Sequence, residues 1–67
     1  MRAFIKVPGL TEDRASELAQ LLKGIDGVVD AELFPEDEVA SVLYDVRVDS
    51  AALVAAIKQA GYDAHPL

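Results

Sequence analysis

Residues 7–28 read VPGLTEDRASELAQLLKGIDGV, and the fold turns on how this stretch divides. Pro8-Gly9 halts what precedes it: proline has no N–H to give to a strand ladder, and glycine opens conformations closed to other residues. Thr11 is the expected N-cap, its hydroxyl accepting from free N–H groups of a first helical turn, and Glu12 and Asp13 suit the positive end of the helix dipole. Ala15, Leu18, Ala19, Leu22 and Ile25 then recur at helical spacing, with Glu17, Gln20 and Lys23 on the other side. Gly24 and Gly27 bracket the helix end.

Upstream, RAFIKV (2–7) alternates, with Ala3, Ile5 and Val7 on one face and Arg2, Phe4 and Lys6 on the other, as in a half-buried strand. Downstream, VVDAELF (28–34) predicts a strand with Val29, Ala31 and Leu33 inward. PEDE is a turn, and VASVLYD (39–45) returns as the hairpin partner with Ala40, Val42 and Tyr44 on the core face. Asp49 caps a second helix from about Ser50 to Ala60, with Leu53, Ala56, Ile57 and Ala60 as its apolar stripe. Gly61 takes the left-handed position after it. YDAHPL closes the chain as a strand, and Pro66 marks a sheet edge. Strand-helix-strand-strand-helix-strand with right-handed crossovers gives an α+β, ferredoxin-like sandwich. Its four-stranded antiparallel sheet has the expected order 4-1-3-2, with both helices on one face, and one domain spans residues 1–67.

Sixty-seven residues bury only a modest core, yet a hydrophobic content of 52% is too high for a disordered segment. With no cysteine, no disulfide forms and no thiolate is available to a soft metal. Twelve acidic against six basic residues give a net charge of −6, which repels phosphate backbones. That counts against nucleic acid and anionic membrane as partners and favours a basic protein surface or cations. No apolar run approaches the roughly 20 residues of a membrane span, and no signal-peptide pattern is present. The expected location is cytoplasmic. No nucleophile sits beside a base, and there is no phosphate loop or clustered acid pair. The expectation is a protein that is not an enzyme and needs no cofactor.

From Phe4 to Ala64 the chain resembles the heavy-metal-associated domain family of small copper chaperones and N-terminal modules of metal-transporting P-type ATPases. VPGLT resembles the entry to that family's metal loop. GIDGVVDAEL resembles its helix exit and second strand, VLYD the end of its third strand, and LVAAIKQAGYDA its last helix and the Gly-Tyr that follows. The family pattern at the loop is Gly-Met-Thr-Cys-x-x-Cys. Here Leu10 stands at the methionine, Glu12 at the first cysteine and Ala15 at the second. Paired thiolates hold soft ions such as Cu(I); Glu12 offers a hard oxygen and Ala15 offers nothing. The family's metal activity is therefore not carried over.

The resemblance implies that Gly9, Leu10, Thr11, Glu12, Asp13, Ala15 and Tyr62 are the loop and docking positions, with Leu10 tucked under the loop as core. Tyr62 packs over the helix ends, and His65 lies about 10 Å beyond it along the last strand. Phe4 and Leu43, on the central strands, face away from the helices and are candidates for an interface. The leading reading is an interaction module of metal homeostasis that pairs with a protein partner or with itself. The alternatives are weak or dimer-shared metal binding by carboxylates near Glu12 and Asp13, or a small-ligand-sensing regulatory domain. Glu12 and Asp13 supply few of the roughly 6–8 oxygens a calcium ion takes.

Overall fold

The alternation in residues 2–7 buries Ile5 and Val7 completely, and this strand organises the sheet. The computed structural model describes all 67 residues. It contains β1 (Arg2–Lys6), α1 (Glu12–Lys23), β2 (Val28–Phe34), β3 (Val39–Tyr44), α2 (Ser50–Gln59) and β4 (His65–Pro66). The sheet order is β2-β3-β1-β4, every pairing antiparallel. That is the expected order, with the first and third strands central. The β1–β3 ladder runs past the named strands at both ends. The Met1 ammonium donates to the Tyr44 carbonyl and Tyr44 N–H to the Met1 carbonyl, both at 2.7 Å; Val7 N–H donates to the Glu38 carbonyl at 2.7 Å.

Leu18 and Leu22 of α1 and Leu53 and Ile57 of α2 join Ile5, Val7, Ala31, Ala40 and Val42 in one cluster, so both helices cover the same sheet face. Burying a large aliphatic side chain contributes about 1.5–3 kcal/mol, and this cluster is where a chain this short finds most of its stability. Asp49 caps α2 as expected, its carboxylate accepting from Ala52 N–H at 2.8 Å. No helix is long and apolar enough to cross a membrane.

Several expectations are corrected. Val29 is 62% exposed rather than inward. Val28 pairs with Tyr44 and Asp30 with Leu43, so Val29 is the extra residue of a β-bulge and Val28 packs on the core instead. Thr11 occupies the N-cap of α1, but its side chain makes no capping bond; its carbonyl carries the first turn, accepting from Arg14 and Ala15. Ala60 is exposed, and Val54 packs on the core in its place, because α2 ends at Gln59. The last strand is only His65–Pro66, on the sheet edge.

Candidate functional site

Between β1 and α1 the chain makes a tight loop, and its shape is set from below and behind. Gly9 has φ +84°, the left-handed region, with open space where a Cβ would project. Leu10 follows at 5% exposure, anchored in the core as expected of that position. From behind, the Glu38 carboxylate in the β2–β3 turn accepts the Gly9 N–H at 2.6 Å and lies 3.9 Å from the Lys6 ammonium. The buried leucine pins the loop to the core and the carboxylate ties it to the β2–β3 turn.

The loop presents Thr11, Glu12 and Asp13 to solvent, all exposed. The two carboxylates lie in the first turn of α1, where the helix dipole favours them. Ala15, one turn on, is 9% exposed and belongs to the core cluster. The two positions that a paired-thiolate site would use thus hold a solvated carboxylate and a methyl group turned to the interior. That donor set does not fit a soft ion. Nowhere in the chain are three His, Asp or Glu side chains grouped so as to hold a metal ion. His65 is exposed on β4 opposite Lys6.

Tyr62 is half-buried against the core, and its N–H donates to the Ile57 carbonyl at 3.4 Å. The Arg14 guanidinium sits 6.0 Å from the centre of its ring, the outer limit of a cation–π contact. Together they form a wall between two shallow hollows. One, of about 640 Å³, is lined by Pro8, Gly9, Arg14, Lys58, Gly61, Tyr62 and Asp63. The other, of about 320 Å³, lies along Glu17, Leu18, Leu21 and Ala60. The structure thus gathers Gly9, Arg14 and Tyr62 around one depression. Phe4 and Leu43 lie apart, on the sheet face away from the helices. Sequence reasoning missed Glu38, Arg14 and Lys58. Glu38 meets Gly9 across 29 residues of chain, a contact no local pattern marks. Arg14 and Lys58 read as ordinary charges on helix surfaces.

No family model matches the sequence, and no curated protein matches it. Solved structures do. The CopZ metallochaperone is 30% identical, with 97% of this chain and all of that chain covered and a TM-score of 0.90. The copper binding domain of HMA7, a P-type ATPase, is 24% identical over 98% of this chain and 92% of its own, with a TM-score of 0.92. Oxidized MerP from Ralstonia metallidurans is 22% identical over 98% and 94%, with a TM-score of 0.91. The last two show a shared fold; CopZ adds likeness of sequence along the whole length.

Proposed function

This chain belongs to the heavy-metal-associated domain family, its paired cysteines replaced, and from that premise we propose that it is a non-enzymatic interaction module of metal homeostasis that carries no soft-metal cargo. One observation carries this reading. The loop scaffold is complete, with its Gly9 turn, buried Leu10 and clasping Glu38, while the ligand positions hold exposed Glu12 and core-facing Ala15. A loop retained in shape without donors serves contact. Its outer surface offers Thr11, Glu12, Asp13, Arg14 and Tyr62, with carboxylates foremost, and complements a basic patch on another protein.

The experiment is amide NMR of ¹⁵N-labelled protein titrated anaerobically with Cu(I) and then Zn²⁺. The amides of Gly9 to Ala15 and of Tyr62 should stay unmoved at equimolar metal. Saturable shifts at those residues would mean that oxygen donors, alone or shared between chains, still hold an ion, and would overturn the cargo-free reading.

A further inference from the structure

The sheet face opposite the helices carries a sorted pattern of charge. Register places Asp30, Leu43 and Arg2 in one cross-strand row, Glu32, Ser41 and Phe4 in the next, and Phe34, Val39 and Lys6 in the third. Their neighbours Ala31, Ala40, Val42 and Ile5 are in the core, so pleating turns these rows outward. Phe4 of β1 is 49% exposed, and Phe34 of β2 and Val39 and Leu43 of β3 are half-buried, which spreads an apolar patch over the three strands. On one side β2 contributes two acids, Asp30 and Glu32. On the other β1 contributes two bases, Arg2 and Lys6, out of only six Lys and Arg in the chain.

We propose that this face is the interface of a homodimer whose two-fold axis runs parallel to β3, so that β2 of each copy lies over β1 of the other. A two-fold interface must be complementary to itself, and the Asp30–Leu43–Arg2 row, apolar at its centre with opposite charges at its ends, meets that condition. With this axis Leu43 and Val39 meet their own counterparts. Arg2 of one copy opposes Asp30 of the other, because both are the cross-strand neighbours of Leu43. An axis across the strands would set acid on acid and is disfavoured. A partner of uniform charge would meet repulsion along one of the two strands, so a second copy is the better occupant. Arg2 is held in part within its own copy, Nη1 donating to the buried Ser41 Oγ at 2.6 Å, and keeps its other guanidinium N–H groups for a partner. Asp30 lies 3.7 Å from Lys23 and Lys6 lies 3.9 Å from Glu38, both as exposed pairs.

The face measures about 19 Å by 17 Å from strand spacing and rise. That is small beside the roughly 800 Å² per partner of a stable complex, so the dimer is weak and builds up with concentration. It lies apart from the loop, and its failure would leave the cargo-free reading standing.

Sedimentation velocity from about 10 µM to about 1 mM tests it, a range that brackets a weak interface. The native chain should move toward twice the monomer mass. Arg2→Glu alone and Asp30→Arg alone should each stay monomeric. An equimolar mixture of the two should dimerise, because each variant then faces its opposite charge; misfolded variants could not produce that rescue. A native chain that stays monomeric across the range, single variants that dimerise as the native chain does, or a mixture that fails to associate would overturn the proposal.

Discussion

Gly27 and Gly61 have nearly the same backbone, φ +100° and +99°, yet they constrain the chain differently. A Cβ on Gly61 would meet nothing within 4 Å, whereas one on Gly27 would lie 2.8 Å from Val48 Cγ1 and 3.1 Å from Arg47 Cβ. Gly61→Ala should therefore cost only backbone strain, about 1–2 kcal/mol. Gly27→Ala adds overpacking and should cost about 2–4 kcal/mol. Urea unfolding of both variants compares them directly. In the β3–α2 turn against which Gly27 packs, Arg47 donates its Nε, Nη2 and backbone N–H to the Asp45 carboxylate. The side-chain bonds come first and the backbone bond second in holding that carboxyl below its ordinary value near 3.8. A depressed folded value means that the clasp contributes in full above the ordinary value and is lost as pH falls through the lowered one. A carboxyl titration followed by NMR should place the Asp45 midpoint below that of an ordinary aspartate, and Arg47→Ala should return it upward.

The two helices begin alike in sequence and differently in space. Asp49 and Thr11 both stand at N-caps, but only Asp49 bonds the helix through its side chain. Asp49→Ala should lose about 1 kcal/mol, while Thr11→Ala should stay within about 0.5 kcal/mol of the native chain. Thermal unfolding of the pair would show whether the caps differ in this way. Strand and helix identities and their order were legible because period-two and period-3.6 patterns are local and Pro8, Gly9, Gly24 and Gly61 punctuate them. The inward face of β2 was not fully legible. Its bulge depends on which β3 residue Val28 and Asp30 oppose, and that pairing lies outside the strand's own pattern. The unused Thr11 hydroxyl is likewise a matter of side-chain placement that residue type alone leaves open.

At the scale of the molecule, the anchored loop predicts that thiolates placed at its two ligand positions would hold a soft ion. Glu12→Cys together with Ala15→Cys should bind one equivalent of Cu(I), since the loop already holds these positions one helical turn apart on an anchored backbone. Competition against a Cu(I) chelator would measure it, with the native chain as control. Failure of the double variant would show that the loop has departed from a metal-competent shape. The loop's place in the molecule and the lack of thiolates could be read from Gly9, Leu10, Glu12 and Ala15. The Arg14–Tyr62 wall could not, because its members come from distant parts of the chain and meet only after both helices dock.

Glu38 sits at φ 55°, an unfavourable backbone for a residue with a side chain, while its carboxylate and carbonyl secure Gly9 and Val7. The loop is therefore tied to the β2–β3 turn in the free protein. Flexible recognition loops lose conformational freedom on association, about 0.5–1.5 kcal/mol for each side chain immobilised. Here much of that ordering is already complete in the free protein. Encounters through this loop should accordingly proceed without a slow rearrangement, and discrimination among partners should fall on how fast each one leaves.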